Sequence, residues 1–319
     1  MNSLVLWGLA ALAGLALLAF GARLFIDGAA DGAKRMRVSP MLVGVFLAGF
    51  ATSLPEAIVA AVAAYRDSVE LALGNAVGSN IANIGLVLGA AVLFMGMRPE
   101  RGVTRVELPT MTAVTVLTCL LLFNQYLSRL DALLLLAALP PVAWLLMRNT
   151  VSRKDAGGGG TGNARRSMAR NAVYALAGLI LLLLGAEMLV RAAKQLALIA
   201  GVSELVIGAT IVAIGTSLPE LAITVAGAIR REAELALGNV IGSNIFNLLV
   251  VIGVAGVISP SGFSRELLTL HMPMLLGFTF WFVFLAILCR RMGGLSRAWS
   301  ASLLLPFAFY LGLVIALSG

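Results

Sequence analysis

Two acidic residues stand where acids are rare. The stretches Thr52-Ser53-Leu54-Pro55-Glu56 and Thr216-Ser217-Leu218-Pro219-Glu220 each put a carboxylate and a proline in the middle of an apolar run. Of the 15 acidic residues, only Glu56 and Glu220 fall near the expected middle of a membrane span. A charge there costs about 2.5–3.5 kcal/mol on insertion scales, so it is seldom left without a partner. The proline removes a backbone N–H and clashes with the carbonyl four residues back, here Ala51 and Gly215, so each helix is expected to bend or break. Freed carbonyls at mid-membrane are tolerated where they line a cavity or hold an ion. Two acids, two breaks and freed carbonyls read together as a cation site.

A second polar stripe follows each motif. Asn75, Ser79 and Asn83 recur every four residues and share a helix face, and Asn239, Ser243 and Asn247 repeat the pattern. In the proline-bearing spans Gly49, Thr52 and Glu56 stand at i, i+3 and i+7, as do Ala213, Thr216 and Glu220. Four polar faces can converge on one cavity whose donors are carboxylate, amide, hydroxyl and carbonyl oxygens. A single histidine, His271, and two distant cysteines, Cys119 and Cys289, indicate neither imidazole nor thiolate ligation. Oxygen donors suit hard cations: Ca²⁺ takes about 6–8 of them in flexible geometry, and alkali ions use the same groups. Two carboxylates match the charge of one divalent ion. The bland reading stands beside this one: small polar residues also let membrane helices pack closely, and a buried glutamate can be tied to a neighbouring Asn or Ser.

The elements that must carry these residues are membrane helices. Hydrophobic residues make up 60% of the 319, and the mean hydropathy is +1.00. Apolar runs of about 20 residues recur along the chain, each long enough for a hydrocarbon core of roughly 30 Å. Ten spans are expected, at 3–27, 39–64, 70–96, 107–125, 130–147, 170–193, 203–228, 235–257, 266–289 and 298–317. The run from Leu4 to Phe20 has no basic leader and reads as the first span. The net charge of +8 would suggest nucleic acid in a soluble chain. Here Lys and Arg cluster between spans, as the positive-inside rule produces, so no nucleic-acid partner is expected. Alternate gaps hold 18 and 5 of them, which puts the long gap after the fifth span in the cytoplasm and both termini outside. That gap, with Gly157 to Gly160, reads as a flexible linker. It divides the chain into 1–148, 149–169 and 170–319.

The chain also repeats itself. A shift of 164 residues aligns 21–89 with 185–253 without a gap, and 20 of the 38 positions from 52 to 89 are identical. Five spans per copy is an odd number, so the copies must lie in opposite orientations. The expected fold is an all-α polytopic membrane protein: ten transmembrane helices in two inverted five-helix repeats, with broken helices at the midplane. That is an architecture of secondary transporters. No nucleophile is paired with a base, so an enzyme is not expected. Arg23 aligns with Glu187 and Asp27 with Arg191, and these charges read as gating or anchoring pairs.

The paired motifs carry a resemblance. Ala-Thr-Ser-Leu-Pro-Glu followed by Gly-Asn-Ala-Val-Gly-Ser-Asn-Ile-Ala-Asn, and Ala-Ile-Gly-Thr-Ser-Leu-Pro-Glu followed by Gly-Asn-Val-Ile-Gly-Ser-Asn-Ile-Phe-Asn, resemble the two alpha repeats of the sodium/calcium exchanger family, within the calcium/cation antiporter superfamily. The resemblance is to a short, prokaryotic-type member in a cell (inner) membrane. It implies Na⁺/Ca²⁺ antiport by alternating access, with no cofactor. It also implies Glu56 and Glu220 as central ligands, with Thr52 and Thr216 offering oxygens to Ca²⁺. Ser53, Ser217, Ser79 and Ser243, with the backbone at Gly49 and Ala213, would complete flanking Na⁺ positions. Asn83 and Asn247 match the family's mid-site amide or acid positions. Many members carry Asp at one of these two. Here both are Asn, so two central carboxylates stand where those relatives have three acids. The counter-ion (Na⁺, K⁺ or H⁺) therefore stays open, and a Ca²⁺/H⁺ or other cation/H⁺ antiporter is the alternative. The linker is too short for the calcium-sensing region of animal exchangers.

Overall fold

The computed structural model describes residues 3–36, 38–96, 103–154, 167–200 and 213–318. Ten helical segments lie among the described residues. The first five are α1 Ser3–Met36, α2 Pro40–Tyr65, α3 Val69–Met95, α4 Leu108–Leu121 and α5 Arg129–Lys154. The second five are α6 Met168–Ile199, α7 Leu218–Ile229 with a short piece Ala213–Thr216 before it, α8 Ala233–Ile258, α9 Leu267–Met292 and α10 Ala301–Ser318. Eight candidate spans are long and apolar enough to cross a bilayer. The two short segments are α4, of 14 residues, and α7. The start of the expected seventh span, 203–212, and most of the expected linker, 155–166, lie outside the described residues.

The first helix corrects the sequence reading. It runs past the expected end at 27, on to Met36. A hydropathy reading stops at charged residues, but these charges are paired across the fold. Asp27 meets the Arg230 guanidinium, and Lys34 Nζ lies 2.8 Å from Glu232 Oε1. Helix α5 likewise continues beyond 147 to Lys154.

Burial sorts the helices into centre and rim. The apolar windows of α3 and α8 are 72% and 78% buried, those of α1 and α5 only 17%. Apolar helices so little covered must face lipid, whereas α3 and α8, which carry the Asn/Ser stripes, form the middle of the bundle.

The inversion is visible in a glycine seam between α1 and α6. A Cβ on Gly14 would lie 3.0 Å from the Gly185 carbonyl oxygen, and one on Gly21 2.8 Å from that of Gly178. Under the 164-residue shift Gly14 corresponds to Gly178 and Gly21 to Gly185. The two contacts are therefore images of each other across a pseudo-two-fold axis. Small residues allow this close antiparallel approach, which dispersion then stabilises. A separate apolar cluster that includes Phe25, Ile26, Leu182 and Ile223 fastens this pair to α7. Between α4 and α5, a two-residue strand β1 (Tyr126–Leu127) pairs antiparallel with β2 (Ser261–Gly262), tying the far ends of both copies together.

Candidate ion-binding site

Both proline-bearing helices break where expected. Ser53 has φ −84° and ψ 0°, Ser217 φ −87° and ψ 4°, each at the sparsely populated edge of helical space. New helices start at Leu54 and Leu218, with Glu56 and Glu220 in their first turns. A helix N-terminus carries partial positive charge, so it is a favourable place for a carboxylate. The stripe-bearing helices deviate too. Helix α3 widens into π geometry over Asn83–Leu88 and α8 over Asn247–Val251, each starting at the last asparagine of its stripe. Such widened turns free backbone groups and are frequent at functional sites.

The side chains these devices position are buried and short of partners. Glu56 and Glu220 are fully buried, and none of their four carboxylate oxygens accepts a hydrogen bond. The two carboxylates are near enough to repel each other. Around them the hydroxyls of Ser53, Ser217 and Ser79 are buried without partners, as are both amide atoms of Asn83 and Oδ1 of Asn247. Thr52 Oγ1 donates to the Ala48 carbonyl at 2.9 Å and lies 3.3 Å from Ser243 Oγ and 3.4 Å from Asn239 Oδ1. Ser243 Oγ in turn lies 3.4 Å from the Gly49 carbonyl oxygen. Oxygens of α2 thus meet oxygens of α8, across the two copies. Thr216 is half-buried beside the second break, and the backbone of Ala213 opens the short piece before it.

Some positions turn out to be supports. Asn239 Nδ2 donates to the Glu220 carbonyl at 3.2 Å and to Thr224 Oγ1 at 2.9 Å, which fixes the first turn of α7. Asn80 and Asn244, which the stripe spacing passes over, lie where α3 crosses α8. Asn80 Nδ2 donates to the Asn244 carbonyl, and Asn247 Nδ2 to Asn80 Oδ1, each at 3.0 Å. Their signal was present in the sequence, since both asparagines survive the 164-residue shift. His271 stands apart, with Nδ1 2.7 Å from the Tyr310 hydroxyl. Glu187 pairs with Arg191 within α6.

Two neighbouring buried carboxylates are costly to ionise together, because an uncompensated buried charge costs several kcal/mol. A cation between them would satisfy both, with the unpartnered hydroxyl and amide oxygens filling out its shell. Among the described residues no three His, Cys, Asp or Glu side chains cluster. The donors are oxygens, as hard cations require.

The family model described as sodium/calcium exchanger protein matches residues 6–147 and 170–316. The inner membrane protein YrbG of Escherichia coli K12 is 33% identical over 256 residues, covering 77% of this chain and 78% of that protein. The sodium/calcium exchanger MaX1 of Methanosarcina acetivorans is 29% identical over 306 residues, covering 83% and 87%. Among solved structures, the sodium-calcium exchanger NCX_Mj, from crystals soaked with Na⁺ and Sr²⁺, superposes with a TM-score of 0.82 at 28% identity, over 98% of this chain and 99% of that one.

Proposed function

Because the chain belongs to the sodium/calcium exchanger protein family and is an integral membrane cation/Ca²⁺ antiporter, we propose that Na⁺ is its counter-ion and that exchange proceeds by alternating access. The observation that carries this reading is the neighbouring buried pair Glu56 and Glu220, none of whose four oxygens makes a well-formed hydrogen bond. In this reading the two glutamates bind Ca²⁺ centrally, with Thr52 and Thr216 adding oxygens. Ser53, Ser217, Ser79, Ser243 and the carbonyls at Gly49 and Ala213 serve flanking Na⁺ ions. Asn83 and Asn247 contribute neutral amide oxygens. The cavity then carries two negative charges, which one Ca²⁺ or two Na⁺ neutralise and three Na⁺ exceed by one. Further excess charge in a low-dielectric cavity is too costly, so each cycle moves at most one net charge per Ca²⁺.

Calcium-45 flux in proteoliposomes, with Na⁺, K⁺ and H⁺ gradients imposed singly, tests the counter-ion. The Na⁺ gradient is expected to drive Ca²⁺ efflux. Efflux driven by a pH gradient alone would replace this reading with cation/H⁺ antiport on the same fold. The charge asymmetry of the loops supports a cytoplasmic linker and external termini in the inner membrane. A cysteine introduced by Thr161→Cys should then be shielded from impermeant thiol reagents in intact cells, and labelling from outside would reverse the orientation.

A further inference from the structure

A groove of about 710 Å³ lies away from the carboxylates, on the lipid-facing side of the seam between α1 and α7. Leu15, Ala22 and Arg23 line it from α1, at the i, i+7, i+8 spacing of one helix face. Leu218, Ala226 and Arg230 line it from α7 at i, i+8, i+12. Both faces are apolar along their length and both end in an arginine. Phe94 of α3 and Leu189 of α6 close the sides. The α7 wall is 12 residues long, or about 18 Å at 1.5 Å per residue. One leaflet of a hydrocarbon core is about 15 Å deep. The groove therefore runs from mid-membrane, beside the break at Ser217, to one membrane surface.

The arginine end has a charge to spare. Asp27 pairs with Arg230 and Lys34 with Glu232, whereas Arg23 is exposed at the mouth of the groove. Burial, and next the neighbouring Arg23, lower the Arg230 guanidinium below its ordinary pKa. Two guanidiniums and one carboxylate leave one positive charge at the end of an apolar slot as deep as one leaflet.

We propose that this groove binds one anionic glycerophospholipid, an acyl chain lying along α1 and α7 and its phosphodiester between Arg23 and Arg230. Basic pockets between transmembrane helices recognise anionic headgroups in this way: guanidinium supplies charge-assisted hydrogen bonds, and each buried methylene adds affinity. On the proposed orientation the lipid comes from the cytoplasmic leaflet. Because it wedges between α1 and α7, its occupancy bears on how those helices sit against each other.

Delipidated full-length protein, titrated with phosphatidylglycerol or phosphatidylcholine of matched chains and followed by native mass spectrometry, tests this without any transport measurement. One phosphatidylglycerol should bind in preference to phosphatidylcholine, and excess inorganic phosphate should not displace it. Arg23→Gln, at an exposed position, should weaken phosphatidylglycerol binding about tenfold, the loss of one charge-assisted contact. Ala226→Phe should fill the slot and abolish retention of the lipid, whereas Arg265→Gln, far from the groove, should change nothing. Equal binding of the two lipids, an unaltered Arg23→Gln, the same loss from Arg265→Gln, or displacement by phosphate would each overturn the proposal.

Discussion

In the second copy, Gly238 and Gly242 press against α2: added Cβ atoms would lie 2.5 Å from the Met41 carbonyl oxygen and 2.3 Å from that of Val45. The matching contact in the first copy would set Gly74 and Gly78 against residues 205 and 209, which lie outside the described residues. An inequality between the copies shows in the polar groups. Asn239 is held by Thr224 and the Glu220 carbonyl, whereas Nδ2 of its counterpart Asn75 has no partner, and Ala60 stands where Thr224 does. Asn247 donates to Asn80, whereas neither amide atom of Asn83 is engaged. Two copies with matching motifs are thus braced unequally.

The glutamates are where the copies should not differ. Glu56→Gln and Glu220→Gln are each expected to abolish Ca²⁺ exchange while the protein stays folded in detergent. Losing one charge opposite a buried ion costs about 3–5 kcal/mol, a hundredfold or more in affinity. Near-normal flux in either variant would break the equivalence and the site with it. Acid should act through the same two groups. Low pH favours the neutral carboxylic acid, and protonating either one removes half of the charge that faces the ion. Exchange should therefore fall as pH falls and recover as it rises, and flux that climbs steadily into acid would refute the two-carboxylate site.

The close contact at Gly242 should carry stability. Gly242→Ala forces a methyl group against the α2 backbone and should cost about 1–3 kcal/mol, visible as a lowered Tm in detergent. An unchanged Tm would refute that contact. The smallest effect sharpens the comparison of the two asparagines. Thr224→Ala removes one partner of Asn239, worth about 1 kcal/mol, and should raise the KM for Ca²⁺ several-fold. Asn75→Ala should do less, since its Nδ2 has no partner to lose. A stronger effect from Asn75→Ala would show that the first copy is the better-braced half.

The devices that depend on one residue type at one place were legible. Proline in an apolar run predicts a break, and both helices break at the serine two residues earlier. The asparagine and serine stripes do not mark a single inward face: every residue from Leu235 to Leu249 of α8 is buried, and in α3 Leu73, Ala76, Val77 and Ile81 are buried as well. The true length of α1 was hidden, because Asp27 and Lys34 look like loop charges until their partners, some 200 residues away, are known. The supporting role of Asn239 was hidden by the repeat itself. Asn75 and Asn239 stand in matching motifs, and the difference lies at 60 and 224, outside both. Asn80 and Asn244 were passed over because a four-residue spacing selects their neighbours, although a crossing of two helices also draws on the adjacent face.

The seam between α1 and α6 has a consequence for biosynthesis. Gly21 emerges from the ribosome 157 residues before Gly178, the partner against which it packs. At about 5–20 residues per second, that leaves α1 in the bilayer for roughly 10–30 s with its glycine face bare. The first helix to be made is thus among the last to find its place, and the nascent N-terminal half needs protection that the finished protein does not. Release of a chain ending at 148 should therefore expose it to membrane proteases, and co-expression of residues 170–319 should rescue it; a stable 1–148 fragment on its own would argue against this order of assembly.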